Sequence, residues 1–370
     1  MRHLTRNSIS LVALCVLALA TVLFLPACSK KPVESHTIKI GVAGPLTGEG
    51  ATYGESMKRG FDLAFQDNPM FKLIYEDDKF SPKEGVTVIN KLISKDKVQV
   101  VLGSAASGVT LAMAPIAEKN KVILFSSIST SDDLRKSGEY IFRNVPRNEI
   151  QGITAAKFIF TTLGKKNVAI LKKNDDYATN LAKSFQAEFQ KLGGVILLNE
   201  AYEADTRDFR GIVAKIKAVE PQAVYIPGNY QEVALFLKQA YEGGLKSAFV
   251  GGDGSYSPEL IKLAGNAAEG TCYTIMAVKH NDYYKSFNEA FKKKYQREPD
   301  VYDAYAYEAG SIILEAVKNV GYDATKIKDY LLSHTFNESL TGPLKFDQDG
   351  EVDRQYGIVK VQDGKFVDLE

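Results

Sequence analysis

Short apolar runs alternate with amphipathic helical stretches along this chain, and that alternation admits few architectures. Strands joined by helices form parallel sheets covered on both faces. Ile38 to Val42 reads as a first strand that breaks at Gly44-Pro45; a helix follows with Met57, Phe61, Ala64 and Phe65 on one face, then a strand from Phe71 to Tyr75. Ser81-Pro82-Lys83-Glu84 offers a serine cap, a proline at the first helical position and a glutamate able to reach back. A capping box is therefore expected to start the helix carrying Val86, Ile89, Leu92 and Ile93. Val98 to Leu102 and Val122 to Phe125 are apolar throughout and belong at the centre of a sheet.

From Asn148 the same grammar restarts. Strands at Val168 to Leu171, Val195 to Leu198, Ala223 to Ile226 and Phe249-Val250 alternate with helices at Ile150 to Leu163, Leu181 to Leu192, Phe209 to Val219 and Val233 to Tyr241. A second sheet is predicted, so the fold class is α/β with two halves, each a mostly parallel sheet with helices on both faces. Ser257-Pro258 caps a further short helix, and Cys272 is apolar filler in the strand-like Thr271 to Met276. Helices are expected around Tyr283 to Tyr295 and Asp300 to Val320; beyond Leu344, the turns Asp349-Gly350 and Asp363-Gly364 predict β-hairpins.

The N-terminus carries an address. Arg2 and Arg6 flank an apolar run from Ile9 to Leu25, which ends in Leu25-Pro26-Ala27-Cys28, a small-residue cleavage site finished by cysteine. The run is shorter than the ~20 residues a membrane-crossing helix needs. It resembles a bacterial lipoprotein signal peptide, so residues 1–27 are expected to be removed, Cys28 acylated, and 28–36 left as a tether. The protein is then expected in the periplasm or at the cell surface, attached by lipid.

Charge and cysteine content exclude other classes. The chain has 46 Lys+Arg against 45 Asp+Glu, and loss of Arg2 and Arg6 leaves the body close to balance, so nothing electrostatic favours nucleic acid. With Cys15 and Cys28 in the leader region, Cys272 is left without an intramolecular disulfide partner. No H-E-x-x-H, G-x-S-x-G or G-x-x-x-x-G-K-[ST] occurs, so neither an enzyme nor a metal or cofactor site is expected.

Ligands of such folds sit at the carboxyl ends of strands. Gly103-Ser104-Ala105-Ala106-Ser107-Gly108 follows one predicted strand and Ser126-Ser127-Ile128-Ser129-Thr130-Ser131 another. Ordinary capping and turns use the same residues, yet two such runs at successive strand ends suggest a neutral cradle for a small carboxylate. Gly251-Gly252-Asp253-Gly254 places one acid after a strand of the second half. Alone it reads as a solvated turn; opposite the cradle it completes a site for a zwitterion. Tyr53, Tyr177 and Tyr230 lie at other strand-to-helix junctions and offer apolar walls with polar tips.

These residues carry a resemblance. The segment I-K-I-G-V-A-G-P-L-T-G-E-G-A-T-Y-G from Ile38 to Gly54, Tyr75-Glu76-Asp77-Asp78, the G-S-A-A-S turn, Phe142-Arg143-Asn144, Gly251-Gly252-Asp253-Gly254 and Thr341-Gly342-Pro343-Leu344 occur in order. In this the chain resembles the Leu/Ile/Val-binding family of periplasmic solute-binding proteins, the soluble receptors of ABC importers. The resemblance implies a two-lobed periplasmic-binding-protein type I fold with three crossovers: residues 37–145 plus 276–341 as lobe 1, and 146–275 plus 342–370 as lobe 2. It implies that Ser107 and Thr130 bind the ligand carboxylate through backbone amides, and that Thr130, the carbonyl of Ile128 and Asp253 hold the ammonium. Tyr53 and Tyr177 would pack the side chain. Asn229 falls where the amino-acid binders carry a tyrosine, with Tyr230 one residue on. The implied ligand is a small amino acid, branched-chain or otherwise apolar, taken up by a monomer and passed to permease and ATPase subunits. A ligand-sensing receptor subunit, or a binder of a non-amine carboxylate, would use the same cleft.

Overall fold

The computed structural model describes residues 37–369. The expected leader, the tether and Cys28 lie outside the described residues.

Five strands, β1 (Ile38–Gly44), β2 (Phe71–Asp77), β3 (Val100–Leu102), β4 (Ile123–Ser126) and β5 (Ile141–Arg143), form a wholly parallel sheet in the order β2-β1-β3-β4-β5. The helices α1 (Ala51–Phe65), α2 (Pro82–Ser94) and α3 (Ser107–Asn120) connect the first four. Every residue of β3 and β4 is buried, which is why Val100 to Leu102 and Ile123 to Phe125 are continuously apolar rather than alternating.

The second sheet has seven strands: β6 (Asn167–Lys173), β7 (Val195–Tyr202), β8 (Ala223–Ile226), β9 (Ala248–Gly251), β10 (Cys272–Met276), β13 (Tyr356–Gln362) and β14 (Lys365–Leu369). Its order is β14-β13-β10-β9-β8-β6-β7; β6 to β10 run parallel, and the hairpin β13–β14 adds antiparallel to β10. Four helices, α4 (Asn148–Lys157), α5 (Asp176–Lys191), α6 (Arg210–Ala218) and α7 (Tyr230–Glu242), alternate with these strands, and α8 (Pro258–Ala264) precedes β10. Next in the chain come α9 (Asp282–Tyr295), α10 (Val301–Val320), α11 (Ala324–Ser333) and the small pair β11 (Thr335–Phe336) and β12 (Leu344–Lys345). α10 lies along α1, and α11 rests against β4.

The closest helix pairings depend on missing side chains. A Cβ on Gly60 of α1 would stand 2.5 Å from the Asp303 carbonyl of α10, and one on Gly152 of α4 would stand 2.6 Å from the Phe185 amide of α5. These two helix pairs thus approach at backbone distance.

Two local expectations need correction. Ser81 makes no side-chain cap bond to α2, so the predicted capping box is absent there; proline at the first position already removes one orphan N–H. A reciprocal box occurs instead at α10, between Asp300 and Asp303. Asp363-Gly364 closes the expected hairpin, but Asp349-Gly350 closes only a turn bounded by the single bridge Phe346 to Val352. Strand β5 and helix α11 were not anticipated: β5 has three residues, and α11 follows α10 after a short turn.

The strands between the sheets are tied by buried ions. Arg354 reaches both carboxylate oxygens of Glu308 at 2.7 Å and the Asn144 carbonyl at 2.8 Å; Glu308 also accepts from the Leu340 amide and the Asn144 side chain. Arg143 pairs with Glu351 at 2.6 Å and donates to the Ser131 carbonyl. Chain leaving β5, chain near Leu340 and chain approaching β13 therefore meet in one network.

Candidate functional site

The carboxyl ends of β1, β3, β4, β6, β8 and β9 surround a cavity of about 220 Å³. A roughly 150 Å³ apolar cavity admits benzene, so this one suits a compact molecule somewhat larger than a single ring.

One side of it is the start of α3. Its N-cap residue is Ala106, whose side chain cannot cap; Ser107 and Gly108 of the first turn line the cavity. An uncapped end of a 14-residue helix favours an anion. Ser107 Oγ accepts from the Ser131 amide at 3.2 Å, linking the two serine runs. Thr130 and Ile128 complete this wall, and the Thr130 carbonyl is held by the Asn148 amide at 2.8 Å.

Most of the serines do something else. Ser126 donates to the Ser104 carbonyl and accepts from the amides of Ile128 and Ser129; Ser129 bonds Thr110 and the Ser104 carbonyl; Ser104 donates to Asp78; Ser131 caps a short turn at Asp133. The expectation that both runs supply hydroxyl donors to a ligand is corrected accordingly: of their hydroxyl residues, Ser107 and Thr130 line the cavity, while Ser126 and Ser129 lock the two loops together.

Across from this wall sits Asp253, only 2% exposed, at the turn after β9. Its Oδ1 accepts from the Tyr177 hydroxyl and from Gln151 Nε2, both at 2.7 Å, and its backbone carbonyl accepts from the Tyr302 hydroxyl at 2.6 Å. All three partners are neutral. Burial raises the carboxyl above its ordinary range while the Tyr177 and Gln151 bonds pull part of that back, and the groups that orient the acid bring no counter-charge. Gln151 is itself aimed by Thr274 Oγ1 at 2.8 Å.

Tyr177 is placed by the Asp175 cap of α5, which accepts from the Ala178 amide at 2.8 Å. Tyr53, on the first turn of α1, donates to the Gly254 carbonyl. Both rings line the cavity. Tyr230 does not: it stands behind Tyr53, edge-on at 5.7 Å, with its hydroxyl on the Glu49 carbonyl and Thr52. Asn229 does reach the wall, where its Nδ2 lies 3.5 Å from Glu49.

The sequence reading passed over a charged cluster. Lys173, at the end of β6 and 5% exposed, bonds Glu49 of the loop before α1 and stands 2.8 Å from Glu232 of α7. Burial raises Glu232 to about 7; Glu49 would rise too, but the Lys173 ammonium outweighs burial and holds it below its usual range. Phe80, Gln151 and Tyr302 were also missed. Nothing in their local pattern marks them, because each is recruited by a partner far along the chain.

A model of the periplasmic binding protein family matches residues 37–365. A leucine-, isoleucine-, valine-, threonine- and alanine-binding protein of Pseudomonas aeruginosa is 30% identical over 331 residues, 86% of this chain and 88% of the relative. The leucine-binding protein LivK of Thermotoga maritima superimposes with a TM-score of 0.86 at 29% identity, covering 90% of this chain and 98% of the other. LivJ of Streptococcus pneumoniae, solved with isoleucine, gives 0.82 at 28% identity, covering 90% and 100%. A match over both sheets, on a two-lobed α/β frame with its cavity at the strand ends, establishes that the chain belongs to the periplasmic binding protein family and has its type I fold.

Proposed function

We propose that this protein captures a small α-amino acid, branched-chain members first, between its two lobes and delivers it to an ABC importer. The observation that carries this reading is Asp253: a buried carboxylate held by neutral donors, on the opposite wall from an uncapped helix N-terminus. That pair of opposite demands matches an ammonium and a carboxylate on one small molecule, and a non-amine carboxylate would meet only one of them. The names of the relatives at about 30% identity support the amino-acid class.

Lobe 1 is taken as residues 37–145 plus 276–341 and lobe 2 as 146–275 plus 342–370, hinged where the buried Arg354–Glu308 and Arg143–Glu351 pairs gather the chain. A ligand touching both walls binds the closed form better than the open one, and only that difference in affinity shifts the equilibrium toward closure. The closed monomer, tethered through acylated Cys28, would then present one face to permease and ATPase subunits.

The test is calorimetric titration of ligand-stripped protein against the full amino-acid panel. Heat with aliphatic amino acids supports the reading; no heat with any member overturns it. For the anchor, Cys28→Ala should abolish acylation, and a lipid-modified species surviving in that variant by mass spectrometry would show the assignment wrong.

A further inference from the structure

We infer that the Glu49–Lys173 ion pair is the end wall of the ligand's side-chain compartment and sets the length of side chain the protein accepts. This rests on the amino-acid reading above.

Asp253 and Lys173 lie at opposite ends of an aromatic floor. Beside Asp253, the Tyr53 hydroxyl is fixed on the Gly254 carbonyl. Phe80 stacks on Tyr53 with ring centres 5.8 Å apart and planes 18° from parallel, and the Lys173 ammonium stands 5.9 Å from the Phe80 ring centre. Glu49, Tyr53, Phe80, Lys173 and Asp253 all line the same cavity. With the ammonium at Asp253 and the carboxylate at the start of α3, the side chain runs along Tyr53 and Phe80 toward Lys173. The whole space is about 220 Å³, so a wall at that end limits length.

The wall is assembled from both lobes. Glu49 comes from the loop between β1 and α1, and Lys173 from the last residue of β6. A side chain reaching past Phe80 has to enter between them and break a charge-assisted bond that closure makes. Lys173 is not free to serve as a direct ligand for an acidic side chain, because Glu49 and Glu232 already engage it. Selection by this wall is therefore steric, strengthened by the ionic bond that a misfit prevents. The Asn229 amide, 3.5 Å from Glu49, backs the carboxylate from the second lobe.

The experiment titrates wild type, Glu49→Ala and Glu49→Gln with alanine, valine, leucine, methionine and phenylalanine. Glu49 sits on a partly exposed loop, and its removal leaves Lys173 paired with Glu232, so the fold is expected to survive; thermal denaturation checks this. In Glu49→Ala, the preference for valine over phenylalanine should shrink by roughly tenfold or more. Glu49→Gln keeps the volume and loses the charge, so it should keep the steric part of the preference and shrink it less than Glu49→Ala does. An unchanged preference in Glu49→Ala overturns the inference while leaving the amino-acid reading intact. Preferential binding of aspartate, glutamate or glutamine by wild type also overturns it, by making Lys173 a direct partner. Failure of wild type to bind any amino acid overturns the underlying function, and the wall with it.

Discussion

The Tyr177 hydroxyl donates to Asp253 Oδ1 across 2.7 Å, and the Tyr177 hydroxyl oxygen in turn accepts from the Gly254 amide at 3.0 Å. The first turn of α5 and the loop after β9 thus hold one another, and the acid is aimed by a group that carries no charge. A lysine or arginine in that place would satisfy the carboxylate and leave nothing for a ligand's ammonium to do.

Asp253→Asn keeps an oxygen for Tyr177 and Gln151 and removes the charge. Burial raises this carboxyl in the folded state, so above the ordinary carboxylate range the ionised group withdraws stability, and acidification restores it. Ligand-free Asp253→Asn should therefore unfold at the same or a higher temperature than wild type at neutral pH. Its affinity for an amine-bearing ligand should fall by about 1.5–3 kcal/mol, the range for a hydrogen bond to a charged group. Scanning and titration calorimetry read the two effects; undiminished affinity would remove Asp253 from the site.

Arg354 and Glu308 are each about 1% exposed, so losing one partner strands the other. Arg354→Met is expected to lower stability by about 3–5 kcal/mol, and adding Glu308→Leu to recover much of that loss. Denaturant unfolding of the single and double variants measures both. A single variant within about 1 kcal/mol of wild type would show that the pair does not hold the crossovers together.

Glu232 titrates near 7 in the folded protein against an ordinary 4.5, chiefly because it is buried. Between those values the folded state binds more protons than the unfolded, so this group's contribution to stability falls as pH rises through the window. Glu232→Gln imitates the protonated acid beside Lys173. Its melting temperature should gain on that of wild type from about pH 5 to about pH 8, and a pH-independent difference between the two would contradict the shift.

Gly60→Ala places a methyl 2.5 Å from the Asp303 carbonyl and 2.6 Å from Ala306 Cβ. Forcing α1 away from α10 should cost about 1–3 kcal/mol. Gly211→Ala on α6, where nothing lies within 4 Å, is the control and should be neutral or stabilising by up to about 1 kcal/mol. Equal melting temperatures for the two variants would refute the close crossing.

What was legible in the sequence was local or periodic. Val98 to Leu102 and Val122 to Phe125 announced the buried central strands observed at Val100–Leu102 and Ile123–Ser126, because a strand covered on both faces favours an apolar run. Ser107, Thr130 and Asp253 were legible because glycine-rich and hydroxyl-rich turns interrupt those runs at strand ends. The same reasoning overcounted the serines: a hydroxyl can bond a ligand or a neighbouring carbonyl, and residue type does not choose between them. At Ser81 it found the right helix start and the wrong cap. At Tyr230 it found the right junction, one residue past the cavity wall.

The chain's order of apolar runs and turns determined by itself that there would be two covered parallel sheets with a polar loop at each strand end, since that follows from backbone hydrogen bonding and burial alone. Only the folded protein decided what those loops share. Lys173 meets Glu49 across 124 residues and Tyr177 meets Asp253 across 76. A charge is tolerable inside a protein only with its partner in place, and no local spacing specifies a partner that distant.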